Sequence, residues 1–344
     1  MRELTVENAR EYLIERGWLG PDEHATIEPL GWGVSNVVLK VSSERGKIVL
    51  KQPHRRLRVQ QPWFSRLERI FQEAAAMRIM ARVLPAGAVP RIVFEDRDNY
   101  VLAMSCAAEP HTVWKKELLE GRVDEEVGRT VATHLALLHR ETLLSPEARD
   151  AVGDRTMFVE LRVEPFYWRL KPLYPELAGV IDATTEALER HILTFVHADY
   201  SPKNMLIHAA GVTYVDHETA HFGDPAFDVG FFHSHLALKA VKASPDQRAA
   251  YLDLLRTCYE TYVSELRRGR QTATAARTQL YETPIRALAH FCLCCLARLD
   301  GASPVDYLNE EDKRDFVRMV MKEALLARHK PELPRLFETL AAAP

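Results

Sequence analysis

Residues 193–218 read LTFVHADYSPKNMLIHAAGVTYVDHE, and the fold turns on how they are read. Leu193 to Val196 is an apolar run of the kind that makes a short buried strand. A polar loop follows, His197-Ala198-Asp199-Tyr200-Ser201-Pro202-Lys203-Asn204. Two short alternating runs come next, Met205 to His208 and Val212 to Val215, separated by Ala209-Ala210-Gly211. Gly211 gives the backbone freedom that a tight turn needs, so the spacing predicts a β-hairpin ending in Asp216. The hairpin folds the chain back on itself. Asn204 at its start and Asp216 at its end then lie side by side, with Asp199 on the loop just before. Hard oxygen ligands that leave room for water and phosphate suit Mg2+. A further carboxylate, not bound to metal, can accept a proton from an attacking hydroxyl. A metal to neutralise charge and a base to orient the nucleophile are what phosphoryl transfer requires.

His197-x-Asp199-x-x-x-x-Asn204, then Asp216, then Gly223-Asp224-Pro225-x-x-Asp228, resembles the aminoglycoside phosphotransferase family. That family belongs to the protein-kinase-like superfamily, with choline and methylthioribose kinases as relatives. The resemblance implies an α+β, two-lobed fold: a small antiparallel-sheet N-terminal lobe with one main helix, and a larger, mainly helical C-terminal lobe. It implies ATP and Mg2+ between the lobes, and a hydroxyl of a small acceptor held against Asp199. Two positions depart from the family pattern. Ala198 stands where the family often has Gly, and His217 where it often has an aromatic residue. Neither removes a catalytic group, and His217 adds a titratable neighbour to the metal site.

The 344 residues are enough for two lobes, each with a core. An apolar fraction of 47% and a charged fraction of 27% describe an ordinary globular protein. A net charge of −3 gives no field argument for nucleic acid or an anionic membrane as partner. No apolar run approaches the roughly 20 residues that span a bilayer. The N-terminus, MRELTVENAR, lacks the apolar core of a signal peptide, so a cytoplasmic location is expected. Of the five cysteines, Cys292, Cys294 and Cys295 share an apolar helical stretch, while Cys106 and Cys258 stand apart. Buried free thiols fit that stretch better than zinc ligands or disulfides.

In the N-terminal part, Thr5 to Arg16 reads as a helix, and Ala25 to Leu30, Val37 to Val41 and Lys47 to Leu50 read as strands. Between the first two strands lies Gly31-Trp32-Gly33-Val34-Ser35-Asn36. A glycine-containing turn can lay backbone N–H groups over phosphates, although two glycines alone are a weak signal. The resemblance makes Gly33-x-Ser35-Asn36 the phosphate-covering loop. Lys51 ends the third strand, and a phosphate-binding lysine needs a carboxylate to hold it. Over Phe64 to Leu84, residues Ile70, Met77, Met80 and Leu84 define one buried helical stripe, with Glu73 inside it and Glu68 opposite. A carboxylate on a buried stripe is costly unless paired with a cation. Glu73 is therefore expected to meet Lys51, as in the kinase lysine–glutamate pair. The basic run His54 to Arg58 reads as a solvated face, or else as a phosphate contact. Arg91 to Phe94 and Tyr100 to Met104 read as a hairpin leading into Ser105-Cys106-Ala107-Ala108-Glu109-Pro110. The resemblance makes this the hinge, with Met104 and Cys106 beside the adenine edge. Residues 1–108 then form the nucleotide-binding lobe, and 109–344 the catalytic and acceptor-binding lobe.

Beyond residue 108 the pattern is mostly helical. Asp124 caps a run in which Val127, Val131, Leu135 and Leu138 repeat on one face, and His139 near its end reads as structural. Phe158, Phe166, Tyr167 and Trp168 beside Arg162 and Arg169 read as a packed helical hairpin, with a wall of the acceptor site as the alternative. By resemblance Asp228 braces the catalytic loop by accepting backbone N–H bonds. Ser244-Pro245-Asp246-Gln247 carries a capping-box signature.

Taken together, these features describe an ATP-dependent kinase of a small hydroxylated molecule. Lys51 grips phosphates and Glu73 orients it. Asn204 and Asp216 hold magnesium. Asp199 acts as base or orienting group, and His197 braces the loop. A nucleotide-binding protein without turnover is the alternative, against which the polar set stands intact. A protein kinase is disfavoured because no Asp-Phe-Gly stands at 216–218 and no Ala-Pro-Glu segment follows. Aminoglycoside, amino alcohol, methylthio sugar or another hydroxylated metabolite remain open as acceptor.

Overall fold

In the computed structural model, which describes residues 1–31, 36–54, 66–268 and 274–344, the N-terminal part builds one sheet held between two helices. Helix α1 (Ala9–Glu15) precedes strands β1 (Ala25–Pro29), β2 (Asn36–Ser43) and β3 (Gly46–Pro53). Helix α2 (Arg69–Val83) follows, then β4 (Ile92–Asp96) and β5 (Val101–Ser105). The strands pair antiparallel in the order β1-β2-β3-β5-β4. Alternation along β3 and β5 sorts side chains to the two faces. Ile48, Leu50, Val101 and Ala103 pack with Tyr12 and Leu13 of α1. Leu102 and Met104 pack with Ile70, Met77 and Met80 of α2, and Val49 joins that side. Lys51 shares the parity of Val49, so it too faces α2. It lies within β3, which runs on to Pro53, and does not end the strand. The main helix starts at Arg69 and not at Phe64; residues 55–65, with Phe64 and most of the basic run, lie outside the described residues.

Strand β6 (His111–Val113) leads into α3 (Trp114–Leu119), α4 (Glu125–Glu141) and α5 (Pro146–Val152). Asp124 caps α4, accepting from the Glu126 and Val127 N–H groups. Residues 156–166 form α6 (Thr156–Phe158), a π-helical turn Val159–Val163 and α7 (Glu164–Phe166), followed by α8 (Ala178–Arg190). Strands β7 (Thr194–Val196), β8 (Met205–His208), β9 (Gly211–Tyr214) and β10 (His221–Gly223) come next. Then come α9 (Ala226–Lys242), α10 (Pro245–Leu266), α11 (Ala275–Tyr281), α12 (Thr283–Asp300), α13 (Glu311–Leu326) and α14 (Leu333–Thr339).

β8 and β9 form the expected hairpin, with Gly211 at φ 129, and β6 adds a third strand to it. β7 pairs with β10, a three-residue strand too short to show alternation in sequence. α9 is buried on every side from Ala226 to Val241 and packs against α12, α10 and α13. A helix enclosed on every side is a central one, even though α9 also buries polar side chains such as Asp228, His235 and Lys239. The capping box at Ser244 does not form. The Ser244 carbonyl, not its side chain, accepts from the Gln247 and Arg248 N–H groups at 3.0 and 2.9 Å. Cys258, Cys292, Cys294 and Cys295 are buried free thiols, and Cys106 is a half-buried one.

Candidate active site

β7 ends at Val196, and the chain bends so sharply that Ala198 adopts φ 60. This left-handed backbone costs an alanine about 1 kcal/mol. Asp228, at the start of α9, holds the bend. Its two carboxylate oxygens accept the His197 and Ala198 N–H groups, both at 2.7 Å. His139 Nε2 approaches the same carboxylate at 3.3 Å while its Nδ1 meets the Tyr262 hydroxyl at 2.8 Å. His139 thus supports the support, which gives this buried histidine its structural role.

His197 Nδ1 accepts the Asp199 N–H at 3.2 Å, so the neutral ring carries its proton on Nε2. That nitrogen donates to His217 Nδ1 at 3.0 Å. Burial holds both imidazoles below their ordinary pKa, His217 well below. His217 therefore packs neutral against His197, 1% exposed.

Asp199 is buried and saturated with partners. Oδ1 pairs with Arg162 Nη2 at 2.9 Å. Oδ2 pairs with Lys203 Nζ at 2.9 Å and accepts from Asn204 Nδ2 at 2.8 Å. Burial works against its charge, but Arg162 and Lys203 outweigh burial and hold its pKa below the usual carboxylate range. Arg162 rises from the π-helical turn, and its Nε also donates to the Ala198 carbonyl at 2.6 Å. Single π turns inside helices frequently accompany functional sites. The aromatic-rich segment around Arg162 thus packs and also reaches the loop that carries Asp199. Lys203, in the loop quoted above, shows in sequence only as a cation four residues from Asp199.

The hairpin ladder continues past its strands, with the Val215 N–H donating to the Asn204 carbonyl at 3.0 Å. Asp216 follows at φ 66. Its Oδ1 lies 2.8 Å from Lys51 Nζ, which also lies 2.7 Å from Glu73 Oε2. Burial opposes the Lys51 charge, but Asp216, Glu73 and Glu218 together raise its pKa above the ordinary value. Burial likewise opposes the Asp216 charge, and Lys51 and Lys203 hold it well down. Burial pushes Glu73 upward, with the charges of Asp216 and Glu218 adding to it against the pull of Lys51.

Glu218 is a further acidic group that comparison with Asp-Phe-Gly passes over. Its Oε2 accepts from Arg69 Nε at 3.1 Å and Asn36 Nδ2 at 3.2 Å. Oxygens of Glu73, Asp216 and Glu218 lie within 4.8 Å of one another. The sequence signal was its spacing, two residues beyond Asp216. Asn36 therefore stands over the acidic group, whereas Gly33 and Ser35 lie outside the described residues. Met104 is buried on the α2 face, and Cys106 is half-buried just past β5. Lys40 and Lys47 both pair with Glu109 beyond that strand.

The donor set fits a hard divalent cation. Asn204 spends its Nδ2 on Asp199, which leaves its amide oxygen as acceptor. Among the described residues, neither that oxygen nor Asp216 Oδ2 has a hydrogen-bond partner.

A buried lysine clamped between a helix glutamate and a hairpin aspartate, beneath a five-stranded sheet, is the arrangement of a protein-kinase-like phosphotransferase. The chain belongs to the phosphotransferase enzyme family, whose family model matches residues 26–268. It is 25% identical over 272 residues to the methylthioribose kinase of Bacillus thuringiensis (strain Al Hakam), a match covering 71% of this chain and 68% of that protein. The solved choline kinase from Cryptosporidium parvum Iowa II matches with a TM-score of 0.55 at 13% identity, covering 94% of this chain and 98% of that one. A choline/ethanolamine kinase family protein from Mesorhizobium loti matches with a TM-score of 0.52 at 19% identity, covering 97% and 98%. These likenesses show the two-lobed α+β fold. The enzyme transfers phosphoryl groups to an alcohol group of a small molecule. Among the described residues no helix is long and apolar enough to cross a membrane.

Proposed function

We propose that this chain is an ATP-dependent kinase of a small hydroxylated metabolite, with residues 1–108 as nucleotide-binding lobe and 109–344 as catalytic and acceptor-binding lobe. The observation that carries this reading is Lys51, buried and held at once by Glu73 and Asp216. A lysine so fixed presents its charge to phosphates at a defined place. Asp216 and Asn204, with Glu218 beside them, would hold Mg2+, which when bound neutralises phosphate charge. Asn36 would cover the phosphates, and Met104 and Cys106 would border the adenine.

Asp199 sits where the acceptor hydroxyl must come. The hydroxyl oxygen forms its bond to the γ-phosphorus, and the bond to the bridging β–γ oxygen breaks, its electron pair leaving with ADP. The hydroxyl proton passes to Asp199 and on to solvent. Because Arg162 and Lys203 keep Asp199 ionised, it is a weak base, and it acts chiefly by orienting the hydroxyl. His197 and Asp228 position the loop that carries it. The likeness to a methylthioribose kinase supports a small hydroxylated acceptor.

The test is ADP release with ATP and Mg2+ across a panel of hydroxylated metabolites. Acceptor-dependent ADP release is expected, and Asp199→Asn should slow it by roughly 10²–10⁴-fold while nucleotide affinity is retained. Absence of acceptor-dependent release across the panel would refute the kinase. Undiminished turnover in Asp199→Asn would remove that residue from the chemistry.

A further inference from the structure

Behind Asp199, inside the helical lobe, stands a group of cations with few carboxylates to balance it. Arg162, already paired with Asp199, lies 5.6 Å from the centre of the Phe231 ring and 5.8 Å from that of Phe166. Arg298 of α12 lies 6.0 Å from the same Phe166 ring. Phe231 in turn meets His235, ring centres 4.7 Å apart. One turn further along α9, Lys239 Nζ donates to the His235 carbonyl at 2.9 Å and lies 5.0 Å from the centre of the Tyr307 ring. Aromatic rings thus connect the Asp199 carboxylate to two further basic groups. At the edge, Asp306 is tied to Lys115 at 3.2 Å.

The acceptors these groups have are neutral: Arg298 Nη1 donates to the Ser303 carbonyl and hydroxyl at 2.7 and 2.9 Å, and Lys239 Nζ reaches the Tyr307 hydroxyl at 3.5 Å. Lys239 is 2% exposed and His235 4%. Among the described residues no carboxylate lies within ion-pair distance of Lys239 or Arg298. His235 Nε2 and Arg298 Nε are buried with no hydrogen-bond partner among those residues. Burial and the surrounding cations push both Lys239 and His235 well below their ordinary pKa values. Arg298 is thus a cation without a counter-ion while Lys239 is driven toward its neutral form, and an arriving anion would balance the guanidinium, favour protonation of Lys239 and meet the free donors. An ammonium-bearing acceptor would instead meet like charge.

We propose that this cluster is the acceptor subsite and that the acceptor is a hydroxylated carboxylic acid, its carboxylate bound by Arg298 and Lys239 and its hydroxyl directed at Asp199. The proposal rests on the kinase reading above and narrows its substrate class. The transfer step is the one already written, with the carboxylate unchanged by it.

The test uses the full chain and three matched probes: glycerate, glycerol and 3-amino-1,2-propanediol, which share a hydroxylated three-carbon frame and end in an acid, an alcohol and an amine. Binding is measured by calorimetry with a non-hydrolysable ATP analogue and Mg2+ present, and ADP release is followed with ATP. Glycerate should bind about tenfold or more tightly than either other probe. Arg298→Gln and Lys239→Met should each erase most of that preference, and Arg298→Lys should retain part of it. Lys239 is deeply buried, so should its variant unfold, the half-buried Arg298→Gln carries the test, its fold checked by thermal unfolding. Preference for the amine, no preference, no binding of glycerate, or an undiminished preference in Arg298→Gln would overturn the proposal. Nucleotide binding is read in the same samples. If nucleotide binds but the acid preference is missing, this proposal alone falls; if nucleotide does not bind, the kinase reading falls with it.

Discussion

Lys51 on β3 and Asp216 after β9 are 165 positions apart in the chain and 2.8 Å apart in space. This ion pair joins the sheet to the β8–β9 hairpin, and Glu73 completes it from α2. Removing the lysine leaves Glu73, Asp216 and Glu218 facing one another in a buried place. Lys51→Met should lower stability by about 3–5 kcal/mol, the usual result of breaking one side of a buried pair. It should also slow phosphoryl transfer. Urea unfolding and a single-turnover assay read the two effects, and an unchanged midpoint with an unchanged rate would take Lys51 out of the site.

Asp216 carries the free carboxylate oxygen best placed for a cation. Asp216→Asn should keep the fold and weaken the Mg2+ dependence of nucleotide binding by about tenfold or more. Calorimetry with ATP, with and without Mg2+, makes the comparison. Equal affinities in the native protein, or an undiminished metal effect in the variant, would rule the assignment out.

Asp228 accepts two backbone N–H groups with two carboxylate oxygens. Asparagine offers one acceptor and one donor, so Asp228→Asn strands a buried N–H and loses about 1–3 kcal/mol. Loosening of the loop should lower the transfer rate far more than nucleotide affinity. A variant with reduced stability and native turnover would separate Asp228 from positioning.

Acid should destabilise the enzyme well before its carboxylates protonate. Burial holds His233 and His290 at about 4 and His221 at about 3. Unfolded, each would titrate near its ordinary value of about 6.5. Between those values the unfolded chain binds more protons than the folded one, so stability falls as pH falls. The loss begins near pH 6.5, continues to about pH 4, and reaches about 1.4 kcal/mol per pH unit for each such histidine. Thermal midpoints between pH 7.5 and 4.5 should decline accordingly, and a flat profile would contradict it.

Much of this was legible because the site is local. Asp199, Asn204 and Asp216 share one short loop and hairpin, and the period-3.6 stripe that buries Glu73 makes it the partner of Lys51. Asp228 was legible only through its motif. Arg162 was not legible, because an arginine among aromatics reads as packing until the π turn aims it at Asp199. Arg298 and Lys239 were invisible for the same reason: their relation to the loop is made by helices over thirty residues away. The missing capping box at Ser244 shows the opposite failure, a correct local signature bypassed when a backbone carbonyl serves equally well.

Ala198 has a further consequence. A methyl group fully enclosed at a left-handed bend allows far fewer backbone angles than glycine would. The loop is therefore stiff before any ligand arrives, and the bearing of Asp199 is set in advance. Such rigidity spares the enzyme an ordering penalty at each turnover, and it narrows the range of alcohols whose approach angle the loop can follow.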